Sequence, residues 1–291
     1  MNKLKENRIL SFIVILIVYA IAITAGVIIY NLLTFDFWLN LLIADIVSTA
    51  ITFIFSLIFN NSSVYDPYWS VATIVVIIAL SIKFGINNIT IFPLIAILLW
   101  GTRLTLNWAY TFTNLNHEDW RYRMYKEKFP RIYILVNFFG IHLFPTLVVY
   151  LCMLPFVFLF YKLVEFSPLM IIGFVISISA FILQMISDIE MHKFRKRNTH
   201  TLINVGLWKY SRHPNYLGEI LMWWGIYFMM LPVLNNYWFL FIGALVNNLM
   251  FLFISIPMAD KRQSKKDGYL LYKKNTHMLL PMPKKHIKEL D

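Results

Sequence analysis

Polar residues at the start of one apolar run could bind a phosphate group. They lie in RHPNYLGEILMWW, residues 212–224. The residue before a proline is disfavoured in helices and proline suits a first helical turn, so His213 is predicted to be extended and a helix to begin at Pro214. The free N–H groups and the dipole of that helix attract anions. Arg212 and His213 stand beside them, which predicts a phosphate site.

Further polar side chains lead from this site into the apolar run. Asn215, Glu219 and Trp223 recur at steps of four and therefore share one helical face. Gly218 would let a planar group approach that face closely. A pocket that grades from a cationic mouth to an apolar floor suits an amphiphilic cofactor or substrate.

The upstream segment ISDIEMHKFRKRN, residues 186–198, also combines charges of both signs. Asp188, His192 and Arg195 fall at i, i+4 and i+7, so a helix that continues past the bilayer presents all three on one face. An ordinary cluster that stops the chain at a membrane surface is the alternative interpretation.

Two stretches in the first half of the chain contain candidate acids. Asp45 begins a polar helical stripe whose hydroxyl groups also suit interhelical hydrogen bonds. In NNSSVYDPYWS, residues 60–70, Pro67 is expected to hold Asp66 in an extended conformation and to break the chain before the next apolar run. Asp66 beside Tyr65 and Tyr68 would make a proton-donating cluster, although two tyrosines also suit a membrane interface.

An arginine also occurs inside an apolar run. Arg103 shares a helical face with Trp100, Asn107, Tyr110 and Asn114. It needs a carboxylate or a phosphate, and Asp45 is as plausible a partner as a ligand. The basic loop that follows, HEDWRYRMYKEKFPR, has interleaved aromatic residues that suit a helix on the membrane surface.

Membrane-spanning helices must position these residues. The chain is 59% hydrophobic and 17% aromatic, and its mean hydropathy is +0.64. Runs of about 18 to 25 residues cross a hydrocarbon layer of roughly 30 Å. We count eight candidates, with seven as the alternative: 9–33, 37–60, 68–84, 88–110, 142–164, 168–187, 215–234 and 236–256. The predicted fold class is all-α, a polytopic transmembrane bundle in a single domain over residues 1–291.

The net charge of +11 is distributed asymmetrically among the loops. Nearly all lysine and arginine residues fall on one side of the predicted membrane, and only Lys83 and Lys162 fall on the other. This positive-inside pattern predicts that both termini are cytoplasmic. Topology and attraction to anionic membrane lipids account for most of the charge, so no nucleic-acid partner is expected. The single cysteine, Cys152, provides neither a disulfide nor a metal site.

Five motifs follow one another along the chain. They are NNSSVYDPYWS, WGTRLTLNWAY, HEDWRY, GLWKYSRHPNYLGEILMWWG with the upstream SDIEMHKFRK, and IPMADKR…GYLLYKKNT…LLPMP. Together they resemble the steroid 5α-reductase superfamily, and most closely its bacterial-type branch, domain of unknown function 1295. The reductase-like core covers about residues 100–283.

The resemblance implies that NADPH enters from the cytoplasm and an enone-containing lipid from the bilayer. A hydride would pass to the β-carbon of the activated C=C bond while an acid polarises the carbonyl oxygen. Positions that bind or frame the cofactor in this superfamily correspond here to Asp188, Arg195, Tyr210, Asn215 and Glu219, with Asp260, Lys261 and Arg262 closing over it. The Gln-Glu pair with which well-studied steroid reductases grip the carbonyl is absent from this sequence.

We therefore expect an NADPH-dependent membrane reductase in the bacterial cytoplasmic membrane. Arg212, Arg195 and Arg103 would neutralise the phosphates, while Asn215, Asp188 and Glu219 would hold the ribose or nicotinamide. Asp66 or Tyr68 would supply the proton or polarise the carbonyl, with Asp45 in reserve as the acid.

Two alternatives compete with this expectation. Isoprenylcysteine carboxyl methyltransferases and phospholipid methyltransferases also carry Arg-His-Pro followed by Tyr-x-Gly, and they bind S-adenosylmethionine there. Asn215 directly before Tyr216, and Glu219 directly after Gly218, resemble the reductases more closely. A membrane scaffold without catalysis is disfavoured, because a scaffold has no need for buried charged residues in three of its spans.

Overall fold

The chain folds into helices joined by loops. The computed structural model describes residues 5–160, 165–197, 201–232 and 235–283, and no β-strand occurs among them. In chain order the helices are α1 Arg8–Leu32, α2 Phe37–Ile58, α3 Tyr68–Phe84, α4 Ile91–Thr111, α5 Trp120–Lys128, α6 Tyr133–Leu159, α7 Met170–Arg197, α8 Pro214–Met230, α9 Asn236–Gln263 and α10 Tyr269–Asn275. The predicted all-α fold class is confirmed.

Most of these helices are apolar and long. Within the described residues, seven helical segments are long and apolar enough to cross a bilayer, namely α1, α2, Ser62–Phe84, α4, α6, α7 and α9. The seventh predicted span, 215–234, corresponds to α8, an apolar helix of 17 residues. The protein is therefore a multi-pass membrane protein. Lys162, which we expected on the less basic side, lies outside the described residues.

The helices group into two compact units. The first unit comprises Met1–Thr90 and Ile97–Leu163, and the second comprises Ile91–Ala96 and Val164–Asp291. Helices α1, α2, α3, α5 and α6 belong to the first unit, whereas α7 to α10 belong to the second. Arg103 therefore belongs to the first unit, while the other predicted cofactor residues belong to the second.

The prediction for Asp66 and Pro67 was wrong. Asp66 is helical, with φ −50° and ψ −44°, because its N–H closes the short 3-10 helix Ser62–Tyr65 by donating to the Ser63 carbonyl oxygen at 3.1 Å. Pro67 directly precedes α3, so the chain is nearly continuous helix from Ser62 to Phe84. The restriction before proline is a preference, and here the local hydrogen bond outweighs it.

The predicted start of the fifth span was also wrong, because α6 begins at Tyr133 and not near residue 142. Its early part contains the π-helix Val136–Leu143, where Asn137 and His142 interrupt the apolar pattern. Both side chains are nevertheless buried. Asn137 accepts from Ser62 Oγ at 2.9 Å, and His142 Nδ1 lies 2.9 Å from the Asn137 carbonyl oxygen.

Glycine residues allow α7 and α8 to pack at very short distance. A Cβ atom on Gly173 would lie 2.2 Å from the main-chain nitrogen of Met229 and 2.6 Å from the Gly225 carbonyl oxygen. A Cβ atom on Gly218 would lie 2.9 Å from the Ala180 carbonyl oxygen. Such close packing of small residues holds membrane helices together, and it positions the first turn of α8 against α7.

We expect Gly173→Ala to lower the free energy of unfolding by about 1–3 kcal/mol, because the added methyl group meets main-chain atoms that cannot rotate away. Thermal unfolding of the purified protein in detergent measures this loss. Gly140→Ala is the matched control, since the nearest atom to its Cβ would be a Val136 methyl carbon at 4.0 Å. Equal stability of the two variants would contradict the close contact between α7 and α8.

Candidate functional site

The predicted phosphate site does begin α8, but Arg212 and His213 both contact a carboxylate of the protein. Pro214 occupies the first turn, as predicted, whereas His213, with φ −139° and ψ 58°, is non-helical but not extended as we expected. Arg212 Nη2 lies 3.1 Å from Asp260 Oδ2, and His213 Nε2 lies 2.9 Å from Asp260 Oδ1. Arg212 is 9% exposed and His213 is 5% exposed. Asp260 at the end of α9 therefore joins both predicted phosphate ligands in one buried cluster.

Arg212 also holds the segment that follows α10. Its Nη1 donates to the carbonyl oxygens of Thr276 at 2.9 Å and Lys273 at 3.3 Å, and its main-chain N–H donates to the His277 carbonyl oxygen at 2.9 Å. Carbonyl groups at a helix end lack partners within the helix, so the guanidinium satisfies the end of α10. This role of Arg212 is structural and could not be read from its neighbours in sequence.

A row of buried polar groups lies between α7 and α8. Gln184 Nε2 donates to Glu219 Oε2 at 2.7 Å, and both side chains are buried. Within the described residues, Gln184 Oε1 and Asn215 Oδ1 are buried and accept no hydrogen bond. An unsatisfied buried acceptor costs about 1–3 kcal/mol, so these two atoms suit a ligand that donates hydrogen bonds. The sequence patterns did not indicate Gln184 as a site residue, because it lies inside an apolar run.

A second group of cations lies at the ends of α7 and α9. Burial lowers the pKa of Lys266, and the nearby guanidinium groups of Arg262 and Arg195 lower it further. These two arginines were predicted as cofactor ligands, whereas Lys266 was not. Lys266 Nζ also donates to the Thr201 carbonyl oxygen at 2.9 Å. Arg195, Arg262 and Lys266 form a basic cluster around Lys266, and such a cluster suits a phosphate group.

The remaining predicted cofactor residues have varied surroundings. The helix α7 continues to Arg197 as predicted, so Asp188 lies on it with its side chain partly buried. Lys261, in the last turn of α9, is exposed, and Tyr210 is 39% exposed. An exposed tyrosine in a loop is available for contact with a ligand.

The loop that carries Tyr210 is fixed by a contact that the sequence did not indicate. Glu190 Oε2 accepts from the Leu207 N–H at 2.9 Å. Gly206 has φ +57°, and a Cβ atom there would lie 1.9 Å from Glu190 Oε1. Trp208 Nε1 also donates to the Ser187 carbonyl oxygen at 3.1 Å, so α7 holds this loop at two points.

In the first unit, Tyr68 pairs with Asp45. Tyr68 Oη donates to Asp45 Oδ1 at 3.0 Å, and Tyr68 is 2% exposed. Both residues line a cavity of about 190 Å³ between α1, α2 and α3, whose walls are mostly aliphatic. Tyr65 is equally buried, but its hydroxyl group contacts Thr146 Oγ1 at 2.8 Å. Neither tyrosine is exposed at an interface.

Asp66 has different partners from those predicted. It accepts a hydrogen bond from Tyr122 Oη at 2.5 Å, and Arg121 Nη2 lies 3.9 Å away. Burial and then the Asp66 carboxylate raise the pKa of Tyr122, so this phenol keeps its proton and donates it to the hydrogen bond. Asp66 does not line the cavity that contains Tyr68, and it anchors α5 to the start of the third span.

We expect Asp260→Asn to lower the free energy of unfolding by about 1–3 kcal/mol, because the buried Arg212 guanidinium loses its counter-charge and His213 loses its carboxylate partner. The last turn of α10, whose carbonyl groups Arg212 binds, should loosen, so limited trypsin digestion should cut faster at Lys273 and Lys274, as mapped by mass spectrometry. Asp267→Asn, which removes an exposed carboxylate from the same region, is the control. Unchanged melting and cleavage in Asp260→Asn would show that the cluster does not hold this segment.

Comparison with known proteins identifies a family. The profile of a family described as "Protein of unknown function (DUF1295)" matches residues 52–276, well over half of the chain. An uncharacterized protein of Schizosaccharomyces pombe is 28% identical over 154 residues, which cover 44% of this chain and 44% of that protein. The chain thus matches less than half of the length of this relative. No solved structure gives a significant match.

Proposed function

We propose, because the chain belongs to the DUF1295 family within the steroid 5α-reductase-like group, that it is an NADPH-dependent membrane reductase. Its substrate would be a hydrophobic lipid with a C=C bond activated by a carbonyl group. The assignment to the bacterial-type branch, and with it the bacterial cytoplasmic membrane, stays a prediction from the sequence motifs.

The observation that carries this proposal is the Tyr68–Asp45 pair on the wall of an apolar cavity. Reduction of an enone adds a hydride to the β-carbon, and the resulting enolate then takes a proton from water at the α-carbon. A hydrogen-bond donor at the carbonyl oxygen stabilises the enolate, most effectively where bulk water is excluded. NADPH, when bound, supplies the hydride that adds to the β-carbon. Tyr68 would donate a hydrogen bond to the carbonyl oxygen, and Asp45 would orient the phenol. The structure thus favours Tyr68 over Asp66 as the acid.

The second unit has groups that fit the cofactor. The basic cluster of Arg195, Arg262 and Lys266 suits phosphate groups. The buried acceptors Gln184 Oε1 and Asn215 Oδ1 suit an amide N–H group, which nicotinamide has. Arg212 and His213 would position the site through Asp260, since that carboxylate occupies both side chains.

A methyltransferase is the competing function. S-Adenosylmethionine contains no phosphate group that the side chains of Arg195, Arg262 and Lys266 could bind. Methyl transfer from this donor also needs no acid that polarises a substrate carbonyl. The basic cluster and the Tyr68–Asp45 pair therefore both support the reductase, and the competing function becomes an outcome of the test.

NADPH should stabilise the purified protein against heat, whereas S-adenosylmethionine should not. A ligand that binds only the native state stabilises it by about 2.7 kcal/mol at a free concentration of one hundred times its dissociation constant.

Asn215→Ala should remove the protection by NADPH without changing the melting temperature of the free protein. Asn116→Ala, at an exposed site of the first unit, and Tyr68→Phe should both keep it. Protection by S-adenosylmethionine alone would reject the reductase, and protection by neither compound would support a scaffold.

The basic cluster predicts a preference for NADPH over NADH, since only NADPH carries a 2′-phosphate group. We expect Lys266→Gln to weaken protection by NADPH by about threefold to tenfold in dissociation constant and to leave protection by NADH nearly unchanged. Lys209→Gln, which removes an exposed lysine from the loop before α8, is the control. Equal loss for both nucleotides would place the phosphate elsewhere.

A further inference from the structure

We propose that the cavity of the first unit binds a single-chain lipid with an acidic headgroup. The headgroup would lie at Lys83, and the chain would extend toward Asp45 and Tyr68. All three residues line the same cavity of about 190 Å³. The inference rests on the proposed function in one respect, namely that this lipid is the substrate.

Lys83 provides a positive charge at one end of the cavity. Its Nζ donates to Tyr30 Oη at 3.1 Å and lies 5.1 Å from the centre of the Tyr30 ring and 5.5 Å from that of Phe84. These partners are neutral, and no carboxylate among the described residues forms an ion pair with Lys83. The side chain is exposed. A carboxylate or phosphate at the membrane surface would supply the missing counter-charge.

The opposite end of the cavity contains the Tyr68–Asp45 pair. Tyr68 is the first residue of α3 and Lys83 lies in its last turn, so their backbones are about 22 Å apart along the helix axis. The wall between the two polar ends is aliphatic and includes Val27, Leu41, Val75, Val76 and Ala79. The cavity therefore has two polar ends separated by an apolar stretch.

The dimensions of the cavity favour one chain over a ring system. Pockets that enclose drug-sized ligands have volumes of about 300–1,000 Å³, and this cavity has about 190 Å³ distributed along most of α3. A small volume spread along a helix fits an extended alkyl or isoprenoid chain better than four fused rings. Its walls come from side chains of α1, α2 and α3.

The two polar ends also restrict the chemistry of the substrate. A lipid with its acidic headgroup at Lys83 presents a point along its chain, or the far end of the chain, to Tyr68. The carbonyl that Tyr68 polarises is then a second polar group, separate from the headgroup. The substrate class is therefore a single-chain lipid acid with an enone within its chain.

Equilibrium binding of radiolabelled palmitate and hexadecanol to the purified full chain in uncharged detergent tests the site. The two probes have the same chain and differ in the charge of the headgroup. Palmitate should bind more tightly, and Lys83→Gln should weaken its binding by about threefold to fivefold, as expected for one exposed charge contact. Binding of hexadecanol should not change. Lys83→Arg should restore the preference, and Lys128→Gln, which removes an exposed lysine over the Phe129 ring, should leave it intact.

A second set of variants tests the cavity itself. Ala79→Phe should abolish binding of both probes, because the added ring would occupy the cavity. Ile78→Phe, at a neighbouring exposed position outside the cavity wall, should bind both normally. Monodisperse elution and an unchanged melting temperature confirm that each variant is folded, and the Lys83 variants test the site even where Ala79→Phe does not fold.

Three results would overturn the inference. They are equal binding of palmitate by wild type and Lys83→Gln, tighter binding of a four-ring enone steroid than of palmitate, and equal competition by phosphatidylglycerol, which would indicate a site for bilayer lipid. Heat protection by NADPH in the same preparation keeps the two proposals separate. Palmitate binding without NADPH protection rejects the reductase alone, and NADPH protection without palmitate binding rejects this inference alone.

Discussion

The arrangement of the second unit depends on the contacts of Asp260 with Arg212 and His213. A cation can be buried at the start of α8 only when a counter-charge accompanies it, since removal of one partner from a buried pair is strongly destabilising. Helix α9 provides that counter-charge. Arg212 then satisfies the carbonyl groups at the end of α10, so one carboxylate holds together three segments that are far apart in sequence.

This cluster changes the roles of the residues around it. Arg212 and His213 first look like direct phosphate ligands, because they stand at a helix amino terminus. Asp260 occupies both side chains, and the phosphate ligands that we propose are instead Arg195, Arg262 and Lys266. The close packing of α7 on α8 then brings Gln184 against Glu219 and leaves two buried acceptors for a ligand.

In the first unit, a carboxylate inside an apolar helix likewise depends on a polar partner from another helix. Asp45 lies in the apolar segment α2 and is tolerated there because Tyr68 donates a hydrogen bond to it. The pair lines a mostly aliphatic cavity, whereas Asp66 accepts a hydrogen bond from the buried Tyr122. Two acids on neighbouring spans thus have separate roles, one beside the cavity and one as an anchor for α5.

The sequence by itself determined the elements of this protein. Long apolar runs predicted the membrane helices, Pro214 predicted the start of α8, and five ordered motifs indicated the family, because each of these signals is local. Two predictions from the sequence were wrong. Asp66 was expected to be extended, but a local hydrogen bond outweighed the preference before proline. The start of α6 was placed too late, because buried polar residues interrupted the apolar pattern.

Only the tertiary structure decided which side chains meet. The partners of Asp45, Asp66 and Arg212 come from other helices, and Gln184 and Lys266 gain significance only through such neighbours. A pairwise contact between distant segments depends on how helices pack, and helix packing depends on the shape of whole surfaces. Residue type and local spacing do not encode that shape, so the sequence predicted candidates for the chemistry and the fold selected among them.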